Sequence, residues 1–403
     1  MILKEERQKK IISILNNDGF VKVTQLAAQL SVTKETIRAD LNFLAKKGIL
    51  TRCHGGAFLE FSSLEKLAIK EMIQYLECVD SSKKTSDEYM TTSKICVLGS
   101  FNVDMISYLP RLPVAGESLL ANKFIFSPGG KGANQALAAS FSNSQVHFIT
   151  KIGHDQFSDF ALNYISSSKI TSSCIYRTDG NQTGTASIFV SEDNGDNMIS
   201  IFPGANMDIT KDEVRLQADK IINSSVILIQ LETNIEALRE IISIGTSHNI
   251  PIILNPAPYN EVALSIMKDI YLLTPNETEA SLISGVTITD IESAKEAAML
   301  IHQLGVQKVV ITLGKNGAIA YDGKECIHSP AYLSIVKNTA GAGDAFNGAL
   351  SASLARGESL KYALQYASAF ASLAVETENA SDMPEHTKVM ARIRQSRYAQ
   401  SYI

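Results

Sequence analysis

From Lys94 onward the chain alternates short apolar runs with amphipathic stretches, and this alternation restricts the fold more than any other feature. KICVLGS, HFITKIG, SVILIQLE, PIILNPAP, YLLTPNE and KVVITLG are rich in β-branched residues and apolar on both faces, as strands covered on both sides must be. Between them, NIEALREIISIGTSH and DIESAKEAAMLIHQLG repeat apolar residues at helical spacing. The pattern predicts a doubly wound α/β domain with a largely parallel sheet, whose ligands belong at the carboxyl ends of the strands.

Those strand ends carry polar residues. CVLGSFNVD delivers Asn102 and Asp104, LIQLE delivers Glu232, LLTPNETE delivers Asn276 and Glu279, and VITLGKNG delivers Thr312, Gly314 and Gly317. Each alone reads as a cap; together they outline one pocket of acids and amides. Such a lining suits a neutral polyhydroxylated molecule, because carboxylates and amides together accept from and donate to several hydroxyls. Any phosphate should come from a second ligand, held where backbone amides gather.

Two glycine-rich stretches supply such amides. SPGGKGANQALAA and NTAGAGDAFNGALSASLA each pass from a glycine turn into a helix, which presents unpaired N–H groups and the positive helix end to an anion. Neither has the G-x-x-x-x-G-K-[ST] spacing of a P-loop. In the second, Asp344 follows Gly341, Ala342 and Gly343. On this stretch alone two readings stand: Asp344 is a base that takes a proton from an attacking hydroxyl beside an amide-lined anion hole, or it is a plain helix cap.

The first 57 residues read differently. They hold ten Lys and Arg against five Asp and Glu in a chain of net charge −5, so a basic head precedes an acidic body, and only the head suits a polyanion. KEERQKKIISILN places Ile11, Ile12 and Leu15 on one face of a helix that Asn17-Asp18-Gly19 ends. Two more helices follow, the first capped by Thr24 and the second by Thr33, the arrangement of a helix-turn-helix. ILTRCHGGAF then reads as two short strands around a turn. Lys34, Thr36 and Arg38 open the second of these helices, where base edges and phosphates meet a recognition helix; Arg52 and His54 sit at the turn. A helix over 61–79 and a Ser/Thr/Lys-rich tether over 81–94 are expected to join the two parts.

No apolar run approaches the ~20 residues of a membrane span, and the first residues lack a signal-peptide layout, so the expected location is the cytoplasm. Five scattered cysteines form no metal or disulfide pattern.

The head resembles the winged helix-turn-helix of DeoR-family regulators, through Arg7, Ile11, Leu15, the run Thr33 to Leu41 and the run Arg52 to Ala57. The body resembles the PfkB carbohydrate kinases, the ribokinase group in particular, through GSFNVD, PVAGESL, PGGKGANQA, KIGHD, TGTASIFV, FPGAN, LIQLE, LNPAP, LTPNETEA, ITLGKNGA and NTAGAGDAFNGAL. The resemblance implies a ribokinase-like doubly wound sheet with a small β-lid, and domains over 1–58 and 94–403. It implies sugar contacts from Asn102, Asp104, Gly130, Lys131, Asn134 and Glu232. Asn276 and Glu279 would serve ATP and a magnesium ion held through water, and Thr312, Gly314 and Gly317 would border the nucleotide. Gly341, Ala342 and Gly343 would form the anion hole and Asp344 the base. For the head it implies contacts to double-stranded DNA from Thr33, Lys34, Thr36, Arg38, Arg52 and His54, and for the whole a homodimer.

The chain departs from that pattern at three places. Asn143 stands at a helix end where a small residue is usual. Asn338 replaces an aspartate of a potassium site, and the loop ETENASDMP that would complete the site is rewritten, so the potassium site is expected to be weakened, with Lys337 a candidate fixed charge. The expected reaction is phosphorylation of D-ribose at the 5-hydroxyl. The alternatives are 2-deoxyribose, which Met105 beside the sugar contacts would favour, or another sugar, or a regulator whose body only senses its ligand.

Overall fold

The computed structural model describes residues 4–18, 20–47, 49–53, 55–58 and 93–400. His54, the helix expected over 61–79 and nearly all of the expected tether lie outside them. Among the described residues no helix is long and apolar enough to cross a membrane.

In the head, α1 (Lys4–Asp18), β1 (Phe20–Lys22), α2 (Val23–Gln29), α3 (Lys34–Lys46), β2 (Thr51–Cys53) and β3 (Gly56–Phe58) follow in order. Both expected wing strands are present, and β3 lies antiparallel between β1 and β2. Ile11, Leu15, Leu26, Ile37, Leu41 and Leu44 form the core, and Asp40 ties the helices by accepting from Arg7 Nε and Gln8 Nε2. Thr33 caps α3 as expected, its hydroxyl accepting from the Thr36 N–H at 3.2 Å. Thr24 caps nothing: α2 starts one residue earlier, with Lys22 at the cap position and no side-chain bond. The chain enters α2 directly from β1, a strand too short to show a period of two.

The body is built on nine strands: β4 (Lys94–Leu98), β7 (Gln145–Gly153), β8 (Ser172–Thr178), β11 (Val226–Gln230), β12 (Ile252–Asn255), β13 (Leu272–Leu273), β14 (Lys308–Thr312), β15 (Ala318–Tyr321) and β16 (Cys326–Ser329). Their order is β16-β15-β14-β13-β12-β11-β4-β7-β8. Pairing is parallel from β8 to β14 and antiparallel in the terminal hairpin. The chain runs outward one way from β4 and the other way from β11, so the order reverses between these two strands. Loops diverge there and leave a crevice.

A second sheet of order β10-β9-β5-β6 uses β5 (Asn102–Leu109), β6 (Lys123–Gly129), β9 (Gly184–Ser191) and β10 (Asn197–Phe202). This is the small sheet that the resemblance implies, and β5 leaves directly from the loop after β4. Helices α4 (Lys131–Phe141), α5 (Ser158–Ser167), α6 (Ile235–Ser247), α7 (Glu277–Ser284), α8 (Ile291–Gln303), α9 (Ala342–Ala355), α10 (Leu360–Ala374) and α11 (His386–Gln400) complete the body. Asn143, just beyond α4, adopts φ of 64°, the left-handed geometry Asn tolerates.

Helices α4 and α9 lie unusually close. A Cβ on Gly348 would sit 2.4 Å from the Gln135 carbonyl oxygen and 2.6 Å from the Ala138 Cβ, so only glycine fits at the contact. The head rests on α5 and β8. Phe20 joins the core of the body, and Lys22 Nζ donates to the Ser168 carbonyl at 2.8 Å.

Candidate active site

Helices α4 and α9, packed against each other, both lie against β4 and β11 at this crevice. Gly341 begins α9 at φ of 77°, where a Cβ would sit 2.9 Å from Ala380. It turns the chain so that Ala342, Gly343 and Asp344 form the first turn, whose N–H groups have no partner within the helix; that of Ala342 donates to the Thr339 carbonyl at 3.2 Å. A Cβ on Gly343 would meet nothing within 4 Å, so the space beside that turn is open.

Asp344 is buried and both its oxygens accept from side-chain amides of α4. Gln135 Nε2 donates to Oδ1 at 2.9 Å, and Asn134 Nδ2 donates to Oδ2 at 3.2 Å. The Lys131 ammonium lies in the field of Asp344, then of Glu232 and Glu279, which raises its pKa against the effect of burial. The structure thus brings Lys131, Asn134, Glu232, Glu279 and Asp344 into one electrostatic neighbourhood, as the scattered motifs predicted.

Asp104 pays into the same cluster from β5. Burial, then the charges of Glu232 and Asp344, push its carboxyl up to about 7. Its neighbour Met105 alternates to the other face of the strand, so Met105 is not the apolar group beside the sugar contacts that the sequence suggested. Glu232 Oε2 accepts from the Ser100 hydroxyl and from the Lys131 backbone N–H at 3.0 Å, which fixes the carboxylate against the start of α4. Gly130, the cap residue of α4, takes φ of 88° with its Cα tucked against Phe101 and Asn102.

Asn102 is buried, and its Oδ1 accepts from Asn206 Nδ2 at 2.8 Å. Asn206 also accepts from the Phe101 N–H and donates to the Phe101 carbonyl, so it holds the loop that presents Asn102. Sequence reasoning assigned no role to Asn206, Ser100 or Gln135, although each lies within or beside a quoted motif.

Asn276 and Glu279 form a reciprocal capping box on α7: the Asn276 side chain accepts from the Glu279 N–H at 2.8 Å, and Glu279 Oε2 from the Asn276 N–H at 3.0 Å. Burial raises the Glu279 pKa. Thr312 bridges to Asn276 across the sheet end, and Leu313, Gly314 and Gly317 make the adjoining turn, the Leu313 N–H donating to Gly317 O at 2.8 Å. Among the described residues no cluster of three His, Cys, Asp or Glu side chains is placed to ligate a metal directly. Glu279 fits an ion carried on phosphates and held through water.

Asn338 spans two loops: Nδ2 donates to the Glu378 carbonyl at 2.8 Å and Oδ1 accepts from the Ala340 N–H at 2.9 Å. Lys337 is exposed, and its backbone N–H donates to Val375 O at 2.8 Å. In the head, Lys34 and Arg38 are exposed, Arg38 pairing with Glu35 at 3.2 Å. Arg52 differs: β2 faces α5, and its Nη1 is buried without a hydrogen-bond partner.

Residues 92–388 match the family model for pfkB carbohydrate kinases, and residues 7–62 match the DeoR-like helix-turn-helix domain. The chain is 36% identical over 291 residues to the ribokinase of Staphylococcus aureus, covering 72% of this chain and 95% of that one. It is 33% identical over 282 residues to the deoxyribokinase of Salmonella typhi, covering 70% and 92%. The structure of Arabidopsis thaliana ribokinase complexed with ribose and ATP matches with a TM-score of 0.68 at 26% identity, over 75% of this chain and 99% of that one. The chain belongs to the pfkB family of carbohydrate kinases, a phosphotransferase of the ribokinase type that carries a DeoR-like helix-turn-helix domain at its N-terminal end.

Proposed function

We propose that the body transfers the γ-phosphoryl group of ATP to the 5-hydroxyl of D-ribose. The observation that carries this reading is Asp344: a buried carboxylate on the first turn of α9, gripped by two amides of α4 and adjoining an open glycine turn. Asp104, Asn102 and Glu232 bind and orient the sugar hydroxyls, with Gly130, Lys131 and Asn134 closing the sugar from α4. Asp344 takes the proton of the attacking hydroxyl as its oxygen bonds to phosphorus and ADP leaves. The N–H groups of Gly341, Ala342 and Gly343 face the charge on the phosphoryl oxygens. Magnesium supplies charge neutralisation on the phosphates when bound. Asn276 and Glu279 would hold it through water, and Thr312, Gly314 and Gly317 border the nucleotide. The similarity to a deoxyribokinase supports 2-deoxyribose as the second reading.

The head binds double-stranded DNA through α3, with Thr33, Lys34, Thr36 and Arg38 at its start and His54 on the wing; the exposure of Lys34 and Arg38 supports this, whereas the buried Nη1 of Arg52 counts against the role expected for that residue. A homodimer forms through the small sheet, whose strand β10 leaves Met198, Ile199, Ile201 and Phe202 exposed, apolar side chains that a second copy would cover. Beside the glycine turn the Asn338 amide bridges the loops that a monovalent cation would otherwise join.

A coupled assay over a panel of pentoses should show turnover with ribose above 2-deoxyribose, and Asp344→Asn should lower kcat by about 100-fold or more. No turnover of any sugar by the unaltered protein would favour the sensor reading.

Rates in potassium, sodium and choline chloride at equal ionic strength should agree within about twofold, since screening is then the same. Strong stimulation by potassium would sink the Asn338 assignment.

Sedimentation should give about twice the 43.8 kDa chain mass, and duplexes selected from a random pool should lose affinity on Lys34→Ala or Arg38→Ala with a shallower salt slope. A monomer, or unaltered affinity, would count against these parts.

The Asp104 carboxyl, ordinarily near 3.8, sits at about 7 in the folded protein. The folded state therefore binds that proton more tightly, and the sugar-free protein loses stability as pH rises between these values. Asp104→Asn should raise the thermal midpoint above pH 7 while abolishing turnover; an unchanged midpoint would show that the carboxylate is not strained.

A further inference from the structure

A run of buried amides passes beneath Asp344 and has no part in the roles assigned so far. Gln135 and Gln230 are wholly buried, and Asn255 nearly so. Gln135 Nε2 donates to both Asp344 Oδ1 at 2.9 Å and Asn255 Oδ1 at 3.0 Å. Its Oε1 accepts from Gln230 Nε2 at 2.7 Å, and Asn255 Nδ2 donates to the Thr274 carbonyl at 3.0 Å. The run joins the ends of β11 and β12 to α4 and α9.

Its polarity is dictated from one end. An ionised carboxylate only accepts, so Gln135 must turn its NH2 toward Asp344 and its carbonyl toward Gln230. Gln230 must then present its own NH2, which leaves Gln230 Oε1 buried with no hydrogen-bond partner and pressed against Gly99, where a Cβ would come within 2.2 Å of it. A buried acceptor left unsatisfied calls for a reason. Packing alone does not provide one, since a methionine fills similar space without a polar atom.

We propose that Gln135 is a positioning residue for the phosphoryl transfer: its amide, oriented by Gln230, locks the Asp344 carboxylate through Oδ1 and leaves Oδ2 as the atom that takes the hydroxyl proton. Oδ2 has only the longer 3.2 Å contact to Asn134, a side chain that faces the proposed sugar. The proton passes from the hydroxyl oxygen to Oδ2 while that oxygen bonds to phosphorus. This inference rests on Asp344 being the base.

The test uses the full chain and compares Gln135→Met, Gln135→Glu, Gln230→Met, Asp344→Asn and the double variant Gln135→Met/Asp344→Asn. Gln135→Met should lower kcat by about 10- to 100-fold with the sugar KM within about threefold, because orientation acts on the transition state rather than on binding. Gln135→Glu sets a second carboxyl against Asp344 and should move the acid limb of the kcat profile up by about one pH unit or more. Gln230→Met removes the donor that braces the Gln135 amide from behind and should give a smaller loss of kcat, so the proposal can be judged even if a Gln135 variant fails to fold. The double variant should be no slower than Asp344→Asn alone. Gln135→Met or Gln230→Met at parental kcat, an unmoved acid limb in Gln135→Glu, or additive losses in the double variant would overturn the proposal while leaving the base assignment intact. An active Asp344→Asn would overturn the base assignment and this inference together.

Discussion

The contact between α4 and α9 is the constraint on which the site depends. Gly348 has no room for a side chain against the Gln135 carbonyl, and only at that separation do the short amides of Asn134 and Gln135 reach the carboxylate of Asp344. Each helix starts from a glycine with positive φ, so each aims its first turn into the crevice between β4 and β11. A methyl group at the contact would part the helices, and Asp344 would lose its donors without being altered itself.

Charge is concentrated where the helices meet. Asp104, Glu232, Asp344 and Glu279 lie in a common electrostatic neighbourhood with the ammonium of Lys131. Burial first, and then the like charges of Glu232 and Asp344, raise the pKa of Asp104. A polyhydroxylated guest relieves the imbalance by donating hydroxyls to the carboxylates, which is why an acidic pocket suits a neutral sugar and would resist a phosphorylated one.

The head is joined to the body by more than a tether. Phe20 packs into the core of the body and Lys22 reaches the Ser168 carbonyl, and burial lowers the pKa of that lysine. The recognition helix stays exposed while Arg52 on the wing side faces α5. At the other end of α5, Phe157 meets Phe126 of the small sheet with ring centroids 5.9 Å apart. One helix thus touches both the helix-turn-helix head and the small sheet.

Local patterns were legible in the sequence because their causes are local. Runs apolar on both faces gave six strands of the largely parallel sheet, helical spacing gave α6 and α8, and Thr33 read correctly as a cap; β8 and the switch point emerged only from the fold. Asp344, Glu232 and Asp104 could be singled out as candidates for the same reason, Asp344 beside a glycine turn, Glu232 just past β11 and Asp104 early in the strand that follows the β4 loop. Thr24 misled because the strand ahead of α2 is three residues long, and Met105 misled because a neighbour in sequence lies on the opposite face of a strand. What only the tertiary structure decided are relations between distant segments: Gln135 against Asp344, Asn206 behind Asn102, Asn338 across to Glu378, Phe20 in the core of the body. Hydrogen-bond direction and close packing are set by which groups meet in space, and a linear sequence carries no mark of that until the chain has folded.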